Sequence, residues 1–361
     1  MKLTIALPGS KAASFFNALP AQLVDLTAAG AVLLLAVGGG VQYFITPTFG
    51  LAVTGLMLGL VVLGILAGFD IDEDNPLSDE WVILFFVMIV SAMVNGASWA
   101  ALGRVGLFFV AGSALMVGRV YAQTIRRGLI IAAVAWPAVW LLANAAGYGD
   151  NRNISAAFTV IFVLALLTTR HKALWGAILA NCVLIGWLGS RGAVLGLLAG
   201  LLVYLWPYLR SGRAVVLLLP AVLAVMWWLR PTTAMYRLGY WQDALNAWRS
   251  SPLFGVGPGG LWVTQAIAEP GGGWQLHAHN MAVTWVATTG LVGLIFGALA
   301  VWNVWQRRHY FPRPVWAIWA AMAAHGMVDD PLWWPGVLVL VTLLSNVDTF
   351  CRHFSSRNAL Q

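Results

Sequence analysis

Residues 281–302, MAVTWVATTGLVGLIFGALAVW, form an apolar run that directly follows a polar stretch. That stretch, 230–280, reads RPTTAMYRLGYWQDALNAWRSSPLFGVGPGGLWVTQAIAEPGGGWQLHAHN. A spanning helix needs about 20 apolar residues, because the hydrocarbon core of a bilayer is about 30 Å thick. Membrane proteins place charged groups where water or a partner can satisfy them. The sequence therefore predicts a membrane domain whose chemistry lies in 230–280.

The composition excludes an ordinary soluble domain. Hydrophobic residues make up 60% of the chain and charged residues only 9%, with a mean hydropathy of +0.81. Soluble domains carry about 25% charged residues. The net charge of +7 favours an excess of Lys and Arg on cytoplasmic loops, with no nucleic-acid partner. Cys182 and Cys351 lie too far apart in the sequence to indicate a disulfide framework or a thiol metal site.

Successive apolar runs predict an all-α, polytopic integral membrane protein with about twelve transmembrane helices and one larger periplasmic loop. We expect a single transmembrane domain over 1–361, with an outer-face loop over 230–280. The expected spans are 23–44, 48–69, 81–97, 103–123, 128–147, 154–170, 172–189, 192–209, 214–229, 281–304, 314–328 and 332–350.

The basic residues predict the orientation of these spans. Most of them fall at even-numbered connections or at the two termini, and the positive-inside rule then places both termini in the cytoplasm. Under this topology the 230–280 loop, the Ser190–Arg191 turn and the Asp329–Asp330 turn all emerge on the opposite face. Three polar clusters on one face predict a site there.

Two arginines stand out on this face. Arg191 begins an apolar helix, where a guanidinium could bind a diphosphate with two hydrogen bonds or simply reach the membrane surface. Arg237 precedes YWQDALNAW, whose spacing predicts a short amphipathic helix on the membrane, and it could equally contact lipid headgroups. The glycine-rich SPLFGVGPGG (251–260) lacks the Lys-Ser/Thr of a phosphate loop and predicts a sharp backbone turn.

The histidines and aspartates supply candidate proton acceptors. His277 and His279 lie two residues apart with no obvious third ligand in the sequence, so we expect no metal site and favour a general base. Asp329 and Asp330, with His325 one turn earlier, form either an exposed turn or a carboxylate that orients such a base.

These motifs resemble the O-antigen ligase and O-antigen polymerase superfamily. The most specific similarity is His279-Asn280 followed by Gly290 and Gly293, in HNMAVTWVATTGLVG. The PLFGVGPGG turn, Arg237 ahead of a tryptophan-bearing segment, the Ser190-Arg191-Gly192 helix start and HGMVDDPLWWP are also similar, in the same order. The resemblance covers roughly 185–350.

The resemblance implies transfer of a glycan from undecaprenyl diphosphate to a hydroxyl, at the periplasmic face of the bacterial inner membrane. It implies a multi-pass, metal-independent glycosyltransferase without cofactors that acts among membrane lipids. His279 would take the proton from the acceptor, and Arg191 and Arg237 would bind the diphosphate. Supporting residues would be Asn280, Asp329, His277 and Arg249. A base opposite the leaving group implies inversion at the anomeric carbon.

The acceptor stays open between two members of this superfamily. A ligase of lipopolysaccharide biosynthesis transfers to lipid A–core, whereas a polymerase of O-antigen or exopolysaccharide transfers to a second lipid-linked glycan. We favour the ligase type and rank protein-glycosylating relatives third, because the outer loop is compact. A flippase for lipid-linked glycans is the rival class, and it would line a central cavity with cations. A structural scaffold would make the histidine and arginine cluster coincidental.

Overall fold

The computed structural model describes Gly30 and residues 78–96, 101–107, 111–112, 122–146, 151–169, 171–208, 231–263, 277–333 and 335–345. The expected spans 23–44 (apart from Gly30), 48–69 and 214–229 lie outside the described residues, as do most of 103–123 and both termini. Structural statements below concern the described residues.

Nine α-helices can be delimited among the described residues, and 101–107 is helical as well. They are α1 (Ser78–Val94), α2 (Ala122–Ala145), α3 (Arg152–Leu167), α4 (Trp175–Leu188), α5 (Arg191–Leu205), α6 (Pro231–Ser250), α7 (Met281–Gln306), α8 (Arg313–Gly326) and α9 (Pro335–Leu344). Short 3₁₀ turns lie at Lys172–Leu174, Trp206–Tyr208, Arg308–Tyr310 and Pro331–Trp333.

The described elements confirm the all-α class. All regular elements in the described ranges are helical, and their positions coincide with the spans expected near 81–97, 128–147, 154–189, 192–209, 281–304, 314–328 and 332–350. Two helical segments, Gln123–Ala145 and Met281–Gln306, are long and apolar enough to cross a membrane, and four further apolar helices are shorter. The count of about twelve spans and the periplasmic loop stay predictions.

Helix α3 forms the centre of the described core. Its residues 154–166 are all buried, so neighbouring helices enclose it on every side. Asn151 caps its first turn by accepting a hydrogen bond from the Ile154 N–H. The Trp136 ring of α2 packs edge-on against Phe162, and its indole N–H donates to Thr159 Oγ1 at 2.9 Å. The one polar atom of that indole is therefore satisfied inside an apolar core.

Helices α5 and α8 pack at close range because one face of α5 carries no side chains. Gly192, Gly196 and Gly200 recur every four residues, which places them on a single face. A Cβ on Gly196 would lie 2.7 Å from the Ala321 carbonyl oxygen of α8. Small residues at such an interface let helix backbones approach closely, and this packing drives helix association where hydrophobic burial does not.

Helix α7 is broken at Gly290, where φ is 68° and ψ is −160°. The break leaves the N–H groups of Leu291 and Val292 and the carbonyls of Ala287 and Thr288 without their helical partners. Such orphaned backbone groups are costly to leave unpaired in an apolar environment.

The turn that begins at Pro252 supplies the missing partners. Leu291 and Val292 donate to the carbonyl oxygens of Pro252 and Leu253, at 2.9 and 3.1 Å. In return, the N–H groups of Val256 and Gly257 donate to the carbonyl oxygens of Ala287 and Thr288, at 2.9 and 3.0 Å. Positive φ angles at Gly255, Gly257 and Gly259 allow this geometry and confirm the sharp turn expected over 251–260.

Candidate functional site

The segment 277–280 is fixed to the start of α7 and the end of α8. Asn280 caps α7, because its Oδ1 accepts the Val283 N–H at 3.1 Å. Its Nδ2 donates to the Met327 carbonyl oxygen at 2.9 Å. One turn into the helix, Thr284 Oγ1 accepts the Ala278 N–H at 2.9 Å. Asn280 therefore fixes the backbone next to His279, and its supporting role in catalysis stays a prediction.

His279 has an unusual backbone conformation. Its φ is +50°, and within the described ranges it is the sole non-glycine residue with positive φ. Positive φ is uncommon for residues with a side chain, and such strain clusters at functional sites. The Tyr240 ring of α6, itself buried, lies against the imidazole with a centroid separation of 5.5 Å.

The imidazole of His279 is paired with a carboxylate fifty residues later. Its Nδ1 lies 2.9 Å from Asp329 Oδ1. A carboxylate only accepts hydrogen bonds, so the ring proton belongs on Nδ1 and the lone pair on Nε2. The His279 side chain is 16% exposed and that of Asp329 only 4% exposed. This is the geometry of an oriented general base with an accessible edge.

Asp329 stays ionised although it is buried. Burial alone would raise the pKa of its carboxyl, but the His279 hydrogen bond and charge, followed by the nearby His325 imidazole, hold that pKa well below its usual range. The Asp330 N–H also donates to Asp329 Oδ1, at 2.9 Å. The carboxylate is thus available to stabilise a positive charge on His279.

His277 lies beside the base but differs from it in electrostatics. Burial, followed by repulsion from His279, lowers the pKa of His277 to about 3, so its ring is neutral at physiological pH. The two imidazoles meet edge to face at 4.4 Å between centroids. The His279 N–H lies 3.4 Å from His277 Nδ1, in position to donate to it. His277 therefore supports the unusual backbone of its neighbour rather than competing for a proton.

Asp330 is the second buried carboxyl of the cluster. Burial, together with the charge of Asp329, raises the pKa of Asp330 to about 7. The Thr284 hydroxyl opposes this rise, but it does not reach hydrogen-bond geometry with either carboxyl oxygen. Arg104 also opposes the rise and in addition disfavours a proton on His277. Arg104 was not among the site residues that the sequence predicted.

The two arginines predicted to bind diphosphate lie on different helices around the cluster. Arg191 is the first residue of α5, where Ser190 acts as N-cap with its Oγ 3.4 Å from the Ala193 N–H. Arg237 lies on α6, one turn before Tyr240, and its charge is close enough to disfavour protonation of His277. Arg249 is exposed at the far end of α6, where it donates to Asn246 Oδ1 at 3.1 Å, and so does not join the cluster.

Residues 173–298 match the family model described as O-antigen ligase. The match confirms the resemblance to the O-antigen ligase and polymerase superfamily, and it includes Arg191, Arg237, His279 and Asn280. It supports a membrane enzyme of lipopolysaccharide biosynthesis with glycosyltransferase-like activity, which handles a lipid-linked glycan and an acceptor. A comparison with curated proteins found no match.

The fold supplies a third candidate metal ligand that the sequence did not reveal. His277, His279 and Asp329 each offer one ligand atom, and these atoms lie within 4.8 Å of one another. They are the residues that could hold a metal ion. The charge of Asp329 favours a positive charge at His277, whereas the weaker influences of Arg104 and Arg237 disfavour it.

Proposed function

We propose that this chain is a membrane glycosyltransferase of the O-antigen ligase type. It transfers a glycan from undecaprenyl diphosphate to an acceptor hydroxyl, at the periplasmic face of the bacterial inner membrane, with both termini in the cytoplasm. The observation that carries the proposal is the 2.9 Å hydrogen bond between His279 Nδ1 and Asp329 Oδ1, which orients the imidazole with its proton on Nδ1 and its lone pair on Nε2. The family match over 173–298 supports the substrate class.

The chemical step needs one base and one stabilised leaving group. Nε2 of His279 takes the proton of the acceptor hydroxyl while the hydroxyl oxygen bonds to the anomeric carbon. The bond from that carbon to the diphosphate oxygen breaks, and its electrons leave with the diphosphate. Asp329 stabilises the imidazolium so formed. A general base of this kind contributes about 10²- to 10⁴-fold to the rate, and attack opposite the leaving group inverts the anomeric carbon.

Arg191 and Arg237 bind the diphosphate in this proposal. A guanidinium presents paired N–H donors that match phosphate oxygens, and its fixed charge stabilises the negative charge that develops on the leaving group. Arg191 lies beside Gly192, which contacts His325 and through it approaches Asp329. Arg237 acts electrostatically on His277. Both arginines are therefore linked to the cluster that contains the base. The step as written uses the chain's own residues and no metal.

The test incubates purified protein in detergent with an undecaprenyl-diphosphate oligosaccharide in a buffer that contains a metal chelator. The reaction is run with and without lipid A–core. Product that appears only with lipid A–core identifies a ligase, whereas a ladder from donor alone identifies a polymerase. His279→Ala abolishes either product, and His171→Ala, at an exposed histidine, leaves it unchanged. Full turnover in His279→Ala would exclude His279 as the base. No release of undecaprenyl diphosphate with either acceptor would favour a flippase.

A further inference from the structure

His325 is a buried imidazole that the proposed step does not use. It lies in the last turn of α8 and is 1% exposed. Neither ring nitrogen makes a hydrogen bond among the described residues. Its Nε2 lies 3.9 Å from Asp329 Oδ2, and the other oxygen of that carboxylate bonds His279. Asp329 is therefore flanked by two imidazoles, and only one of them reaches hydrogen-bond distance.

The same ring fills the space beside Gly192. A Cβ on Gly192 would overlap with His325 Cδ2 and would lie 2.6 Å from its Nε2. Gly192 directly follows Arg191 in the first turn of α5. The imidazole thus occupies the position where a side chain next to Arg191 would otherwise stand. A continuous series of contacts runs from the start of α5 through His325 to Asp329 and His279.

We propose that His325 is a positioning residue that holds the Arg191 end of α5 in register with the Asp329–His279 pair. This inference rests on the proposed function, because it states that one contact keeps both Arg191, which binds the diphosphate, and His279, the base, in place. Attack and departure occur on opposite sides of the anomeric carbon, so the two groups must keep a fixed separation. A misplacement of about 1 Å costs about 100-fold in rate.

The effect on kcat and on KM separates a positioning role from simple packing. His325 Nε2 lies 3.9 Å from Asp329 Oδ2, whereas Asp329 Oδ1 bonds His279. If His325 only fills space, an apolar ring of similar size preserves kcat. If it positions Asp329 and the start of α5, kcat falls while the KM of the donor changes less.

The first experiment compares His325→Phe and His325→Gln with wild type in the ligation assay. We expect His325→Phe to lower kcat by about 10- to 100-fold, with a smaller change in the KM of the donor. His325→Gln, which keeps a donor N–H, should restore part of the loss. Wild-type kcat in His325→Phe would overturn the proposal, as would a loss of kcat in His325→Gln as large as that in His325→Phe.

Two glycine variants approach the contact from the other helix. Gly192→Ala pushes against the His325 ring, whereas Gly200→Ala strains the same helix pair two turns away, against the Ala317 carbonyl oxygen at 2.9 Å. We expect both to lower the unfolding temperature, but only Gly192→Ala to lower kcat. Equal kinetic effects of the two variants would show that His325 only packs between the helices, and would contradict a positioning role.

A double-mutant cycle tests the contact without turnover. His325→Ala removes the ring that the new Cβ of Gly192→Ala would meet, so the double variant should melt higher than the sum of the single effects predicts. Strict additivity would contradict the contact. If wild type shows no turnover while the cycle shows coupling, the proposed function fails and the contact stands. If wild type turns over while His325→Phe matches it, this inference alone fails.

Discussion

Gly255 and Gly290 lie against each other where the 252–257 turn inserts into the break of α7. A side chain on Gly290 would overlap with the Gly255 nitrogen and would lie 2.5 Å from the Leu253 carbonyl. A side chain on Gly255 would overlap with the Thr288 carbonyl group in turn. Both residues have positive φ. PLFGVGPGG and Gly290, two of the motifs that resemble the O-antigen ligase and polymerase superfamily, thus form the two sides of one contact.

Helix α1 secures this contact from a third direction. The Ser91 hydroxyl lies 2.7 Å from the Phe254 carbonyl oxygen and 2.8 Å from that of Thr288, so it can donate to either. Asn95 Nδ2 donates to the Gly255 carbonyl oxygen at 3.0 Å. The break places the second half of α7 on a new axis while its first turn, with Asn280, stays fixed to the site.

Gly290→Ala should destabilise the protein and reduce activity together. The backbone conformation at Gly290 is accessible almost only to glycine and costs about 1–3 kcal/mol for other residues, and the new Cβ also displaces the turn. Thermal unfolding in detergent measures the loss. Gly186→Ala is the matched control, because a Cβ there meets nothing within 4 Å and the helical backbone accepts it. Equal unfolding temperatures for the two variants would contradict this account of the break.

Asp329→Asn should inactivate the enzyme without unfolding it. The amide keeps the size of the side chain but loses the charge that stabilises the His279 imidazolium and fixes its tautomer. We expect kcat to fall by about 10²- to 10⁴-fold, with a smaller change in the KM of the donor. Steady-state kinetics under the ligation conditions measure both constants. A kcat within a factor of about two of wild type would show that the carboxylate does not act on the base.

The local features of this site follow from sequence, whereas its contacts do not. Asn280 and Ser190 are good capping residues, and each begins a helix where expected. The hydrogen-bond partner of His279 was harder to predict from sequence, because Asp329 is fifty residues away and any carboxylate predicted on the same face could have been that partner. Nothing in the local pattern indicates that His325 fills the gap beside Gly192, since that depends on how closely two helices approach.

Arg249 shows that closeness in sequence differs from closeness in space. Its place in the polar stretch 230–280 made it a candidate supporting residue, because proximity in sequence to Arg237 suggested proximity in space. The segment between them is one continuous helix, and twelve residues of helix extend about 18 Å. Arg249 consequently lies exposed at the end away from the cluster, bonded to Asn246.

Asp330→Asn should stabilise the protein at neutral and alkaline pH. The pKa of Asp330 is raised to about 7 in the fold, above its ordinary value of 3.8, so the fold binds this proton more tightly than the unfolded chain does. The stability associated with that proton is complete below about pH 4 and is lost as the pH rises to about 7. Unfolding temperatures of both proteins between pH 4 and 8 should therefore diverge with rising pH. A constant difference across that range would show that Asp330 titrates normally.

The arginines provide the last prediction, because the chain contains its own control. Arg191→Gln and Arg237→Gln remove a guanidinium from the proposed diphosphate site, and each should lower kcat/KM for the donor by about tenfold or more, since hydrogen bonds to charged groups contribute about 1.5–3 kcal/mol. Arg191→Lys should recover only part of the lost kcat/KM, because an ammonium lacks the paired donors.

Arg249→Gln is the control, because it makes the same change on the same helix as Arg237, and it should leave kcat/KM within about twofold. The assay is initial-rate release of undecaprenyl diphosphate at varied donor concentration. A loss in Arg249→Gln as large as that in Arg237→Gln would indicate general attraction of the donor to a basic surface, and would remove the basis for a diphosphate site at Arg237.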